Sequence, residues 1–155
     1  MRLLGLLAAM LLMVSCGDAQ ADTRAEAEAA FRSYVDAVST GKSEFAASMY
    51  EDAPGFHWVE QGAIQYESAD EAAASLLAIS ESGAAPRMTV NILRVAELGD
   101  GAALVSAQFD FDLLSDTGDS LFSFGGWMTV GMVKRTGGWR IAGGQTTSEG
   151  RDLPL

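Results

Sequence analysis

The chain contains one histidine, His57, and one cysteine, Cys16. A lone imidazole can carry protons near neutral pH. Next to Trp58 on a β-prone run, however, His57 points away from Trp58 and reads as structural or exposed. No His/Cys cluster offers a zinc site, and no serine stands in a motif with the histidine. Asp110-x-Asp112 puts two carboxylates on one strand face. Without a ligating loop they are too few for a hard cation, so a solvated face is expected. Gly125-Gly126 and Gly143-Gly144 lack the strand-to-helix context of a phosphate loop, and bulges that curve a sheet are expected there. These residue types imply no metal and no cofactor.

Cys16 carries a different chemistry. Met1-Arg2 precedes a short apolar run, Leu3 to Val14, too short to span a membrane, and then Ser15 and Cys16. Met13-Val14-Ser15-Cys16 resembles a lipobox, the site at which a bacterial lipoprotein is cut and acylated. The expectation is a signal peptide over residues 1–15, lipid on Cys16 and secretion across the inner membrane. Gly17 stands where retention signals place Asp, which favours the outer membrane, periplasmic side. An ordinary signal peptide cut elsewhere is the alternative.

The remaining chain suits one domain with one core. With Cys16 the only cysteine, no internal disulfide can form. A formal charge of −11 repels phosphate backbones and anionic headgroups alike. Nucleic acid is therefore not an expected partner, and membrane attachment must come from the lipid.

The elements that would position these groups follow from periodicity. Residues 16–22 read as a tether. Thr23-x-x-Glu26 suggests a capping box, and Ala27, Phe31, Tyr34, Val35 and Val38 form one apolar helix face over about residues 24–40. A second short helix is predicted from Ser43 to Tyr50. Gln61-Gly62 between two β-prone runs predicts a hairpin. Ser68-x-x-Glu71 opens a third helix ending near Ser82-Gly83. From Arg87 the period becomes two: Met88–Leu98, Ala102–Leu114, Leu121–Arg135 and Trp139–Thr147 read as strands separated by glycine-rich turns. Residues 149–155 read as a loose tail. Helices first and long strands afterwards imply an α+β layer fold over residues 23–148.

Alternation also sorts the strand faces. Val105, Ala107, Phe109, Phe111 and Leu113 share one, and Phe124 shares a face with Met128, Val130 and Met132. Opposite these, Trp127, Thr129 and Val133 would form an outer face able to pair two copies into a homodimer. A bulge at Gly125-Gly126 would instead turn Trp127 inward.

The order of elements resembles the nuclear transport factor 2-like superfamily, its SnoaL-like or polyketide-cyclase-like branch in particular. The residues that carry the resemblance are Phe31-Arg32-Ser33-Tyr34-Val35, Met49-Tyr50-Glu51-Asp52-Ala53, Trp58-Val59-Glu60-Gln61-Gly62, Ser68-Ala69-Asp70-Glu71-Ala72 and Gly137-Gly138-Trp139-Arg140-Ile141. The resemblance implies a cone, a curved antiparallel sheet wrapped around the helices with a pocket at its open end. Lining is then expected from Tyr34, Trp58, Phe109, Phe111, Phe124 and Gln145.

The resemblance also implies what catalysis would need. Ketosteroid isomerases of the superfamily place a donor tyrosine on the first helix, and Tyr34 is similar to it; a core tyrosine is the other reading. Their base would fall near Trp58, where no Asp occurs, leaving Glu60 as a displaced candidate. Glu60 is expected in solvent, beyond reach of Tyr34. Relatives carry a pocket histidine after the last strand's Trp-x-Ile, where this chain has Gly143-Gly144-Gln145. Gln145 can orient a ligand but moves no protons. No catalytic residue is therefore assigned. The expected function is binding of a small apolar ligand or a protein partner at the cell envelope; the alternative is a cofactor-independent isomerase, cyclase or dehydratase.

Overall fold

A computed structural model describes residues 16–148, and the side chains of residues 23–148. The expected signal segment 1–15, the lipid site on the Cys16 side chain and the tail 149–155 lie outside the described residues.

Helix α1 runs Cys16–Ser39, α2 Ser43–Ser48, and α3 Ala69–Glu81. The strands are β1 Trp58–Glu60, β2 Ala63–Tyr66, β3 Ala85–Gly99, β4 Ala102–Leu114, β5 Ser120–Arg135 and β6 Gly138–Ser148. They form one curved sheet in the order β2-β1-β6-β5-β4-β3. The fold is α+β with the helices on the inner face, as predicted. The sheet is mixed rather than wholly antiparallel, because β1 lies parallel to β6, with Trp58 opposite Gly144 and Glu60 opposite Thr146.

The predicted apolar face of α1 is the one that packs. Ala27, Phe31, Tyr34, Val35 and Val38 are all buried, and a fully buried Phe31 is worth roughly 2–3 kcal/mol of transfer free energy. Glu28 and Arg32 pair across one turn on the solvent side at 2.9 Å. The Thr23 capping box does not form, because helical backbone already begins at Cys16. The Glu26 carboxylate is used elsewhere: Trp139 Nε1 donates to it at 3.1 Å, and Lys134 Nζ pairs with it at 2.5 Å. The second box does cap its helix. Glu71 N donates to Ser68 Oγ at 3.2 Å, and Glu67 N donates to Glu71 Oε2 at 2.8 Å. The β1–β2 turn has positive φ at both Gln61 (52°) and Gly62 (80°), the geometry of a two-residue hairpin turn that matches strand twist.

Inward residues alternate along β4 and β5 as predicted. Their burial falls in one direction. Ala103, Val105, Ala107 and Phe109 are fully buried, as are Met132, Val130 and Met128 opposite them, whereas Phe111 and Phe124 are half-buried and Phe122 is exposed. The sheet therefore closes over α1 at the end carrying the β3–β4 and β5–β6 turns and stays open at the end carrying the β4–β5 turn.

The two glycine pairs behave differently. Pairing of β4 with β5 is continuous through Gly125 and Gly126, so no bulge forms there and Trp127 stays on the outer face opposite Gln108. Gly126 instead permits close approach: a Cβ there would collide with the Thr147 carbonyl oxygen. Along β6, Ile141 faces Met132 and Gly143 faces Gly131, leaving Ala142 as an extra residue. That bulge shifts the alternation by one. Thr146 turns inward and is buried, while Gln145 turns outward and is exposed.

Candidate functional site

Four aromatic side chains from three separate stretches of chain meet between α1 and β1. The Tyr34 and Tyr50 hydroxyls share a hydrogen bond of 2.9 Å. The Tyr50 ring meets Tyr34, Phe56 and Trp58 edge-on, at centroid distances of 6.0, 5.9 and 6.2 Å. Edge-to-face packing of this kind adds about 0.5–1.5 kcal/mol per pair beyond burial. Tyr50 is brought there by pairing of its backbone with Ile141: Ile141 N donates to Met49 O at 2.7 Å, and Glu51 N donates to Ile141 O at 2.8 Å.

Burial pushes the Tyr34 phenol up to about 12, although its bond to Tyr50 pulls the other way. Burial also raises Tyr50 well above the ordinary tyrosine range, helped by Tyr34. Both hydroxyls are therefore neutral donors at any physiological pH. Negative charge on Glu60 contributes to both shifts. Glu60 lies on the same face of β1 as Trp58, half-buried, and accepts a hydrogen bond from Trp58 Nε1 at 3.2 Å. It is thus not a solvated turn residue as expected. The indole donor on the same strand face draws the carboxylate inward. The hydroxyl partner of Tyr34 remains Tyr50.

The predicted lining residues separate by depth. Tyr34, Trp58 and Phe109 are buried in the core. Phe111 and Phe124 sit at the open end, half-buried and in contact, with ring centroids 5.4 Å apart. Phe122 continues the aromatic row against Phe124, also at 5.4 Å. Gln145 is on the opposite face, for the reason given by the β6 bulge. At the same strand ends a cleft of about 440 Å³ is lined by Arg87, Thr89, Asp110, Asp112 and Ser123 together with Phe111 and Phe124. The first five alternate with the inward row and pair with one another across β3, β4 and β5, so this cleft lies on the outer face of the sheet. The carboxylates in it are bonded within the sheet: Asp112 to Arg87 (3.3 Å) and Ser123 (2.5 Å), Asp110 to Asn91 (2.8 Å). Among the described residues no group of side chains is arranged to hold a metal ion. His57 is exposed, its Nδ1 2.9 Å from the Gly55 carbonyl oxygen.

Comparison with known proteins agrees with this architecture. The SnoaL-like domain profile matches residues 27–146. The chain belongs to the SnoaL-like domain family. No curated protein sequence matches it significantly. This SnoaL-like domain is similar to a nuclear transport factor 2-like superfamily protein from Salmonella enterica serovar Typhimurium, with a TM-score of 0.69 and 11% identity over 87% of this chain and 96% of that one. It is similar to a ketosteroid isomerase-like protein from Erwinia carotovora atroseptica, with a TM-score of 0.65 and 18% identity over 84% and 98%. A protein with a cystatin-like fold from Caulobacter vibrioides gives 0.64 and 19% over 84% and 92%. At these identities the likeness is one of fold, and the fold hosts many activities.

Sequence reasoning missed Tyr50 as a site residue. Its segment reads as the end of a short helix, but α2 stops at Ser48, and the backbone pairing of Tyr50 with Ile141 brings it beside Tyr34. Met88 and Phe122 were also missed. Their strand alternation placed them on the inner face, but nothing local marks which inward residues lie at the open end.

Proposed function

We propose that this SnoaL-like domain is secreted, held at the envelope by lipid on Cys16, and binds a small apolar ligand at its open end without transforming it. One observation carries the reading. On β4 and β5 the inward pair Phe111–Phe124, beside Met88 on β3, is only half-buried and continues to exposed Phe122, although every inward residue behind it on those two strands is buried. A mainly apolar lining is the usual composition of a small-ligand site. Mass spectrometry of small molecules co-purified with the cell-made chain tests the reading. A recurrent apolar compound, lost on Phe124→Ala, is expected; a chain that carries none and binds no apolar fluorophore would refute it.

A second reading is favoured by Glu60. Its carboxylate is held on the inner face by Trp58, and its charge is felt by two neutral tyrosine donors. Such a carboxylate can act as a base beside hydroxyls that stabilise a developing oxyanion, the chemistry of a cofactor-independent isomerase, cyclase or dehydratase. Hydrogen–deuterium exchange at the α-carbon of cyclic ketones, abolished by Glu60→Gln, would decide for it.

A further inference from the structure

Helix α1 spans the fold from its closed end to its open end, and contacts near both ends fix that direction. Near its start, Glu26 is bonded to Lys134 and Trp139. Those two face each other on β5 and β6 beside the β5–β6 turn, and Lys134 N donates to Gly101 O in the β3–β4 turn at 2.7 Å. At its end, Ser39 Oγ accepts from Met88 N at 2.9 Å and lies 3.2 Å from Met88 O, to which it donates. Met88 belongs to the half-buried row at the open end. From Glu26 to Ser39 the helix covers about 20 Å, and its backbone continues about 15 Å further back to Cys16, at 1.5 Å per residue.

We infer that a lipid on Cys16 sets the closed end toward the bilayer and turns the open end toward water, so that the ligand arrives from the aqueous side and not by lateral entry from the membrane. This inference rests on the lipid anchor proposed above.

The test uses the lipidated chain in vesicles of zwitterionic and anionic phospholipid with a headgroup energy acceptor. Acylation occupies Cys16, the only native cysteine, so one introduced thiol takes the donor dye. Asp100→Cys marks the closed end and Asp116→Cys the open end, with equal charge removed. The two sites are separated by the whole of β4, about 40 Å if fully extended. The donor at residue 100 is expected to lose its emission to the acceptor, and the donor at residue 116 to keep most of it. Equal or reversed transfer in a chain whose N-terminal peptide carries the acyl mass overturns the orientation alone. An N-terminal peptide without that mass overturns the anchor and the orientation together. Apolar-ligand binding is decided separately, on the Cys16→Ser chain.

Discussion

The hydroxyls of Tyr34 and Tyr50, 2.9 Å apart, are each other's hydrogen-bond partner inside an aromatic cluster. Tyr34 is buried and Tyr50 nearly closed over by Phe56 and Trp58. A buried hydroxyl without a partner loses its hydration and gains nothing in return.

Tyr34→Phe and Tyr50→Phe should therefore each destabilise the fold by about 1–3 kcal/mol. The double variant should lose less than the sum, because neither hydroxyl is then left stranded. Urea unfolding of the three variants checks this, and additive losses would show that the pair is not coupled.

Alkaline pH should attack the same pair. The Tyr34 phenol stands at about 12 in the fold, against an ordinary value of 10.0. Its contribution is complete below pH 10 and is lost as pH rises toward 12, where the unfolded chain ionises and the native one does not. Two units correspond to roughly 3 kcal/mol. Thermal unfolding from pH 8 to pH 12 should show a fall that is smaller in Tyr34→Phe.

Glu26 should act at the acid end. Hydrogen bonds from Lys134 and Trp139 hold its carboxyl below the usual value of 4.5. The stability it adds is present above that value and fades as pH falls below it. Glu26→Gln should be less stable than the native chain at pH 7, and the difference should shrink on acidification. A constant difference from pH 7 to pH 3 would remove the ionic contribution.

Binding of an apolar fluorophore should follow depth and face. Phe124→Ala removes one aromatic contact at the open end and should weaken binding about tenfold, equivalent to about 1.4 kcal/mol. Gln145→Ala, on the outer face, should leave affinity unchanged. Equal effects from the two would mean that the fluorophore binds elsewhere.

The outer face should pair two copies. Trp127 lies there half-buried beside Thr129 and Val133 in line, with Ile92 and Leu104 exposed on β3 and β4. Sedimentation of the Cys16→Ser chain at micromolar concentration should give a dimer, and Trp127→Ala a monomer. A native monomer rules this contact out.

Periodicity by itself determined the element order, the buried face of α1, the Ser68 cap, the Gln61-Gly62 turn and the inward residues of β4 and β5. Each of these depends on residues close together in the chain, so local spacing carries the signal. Three features were decided only by the assembled sheet. Ala142 became an extra residue because Met132 and Gly131 on the neighbouring strand set the register, and this moved Gln145 outward. Gly125-Gly126 stayed regular because β4 pairs with β5 without interruption there, and this kept Trp127 outside. Tyr50 reached Tyr34 through backbone bonds to Ile141, far along the chain. Alternation says which residues share a face, but register and burial depth belong to partner strands that no local window contains.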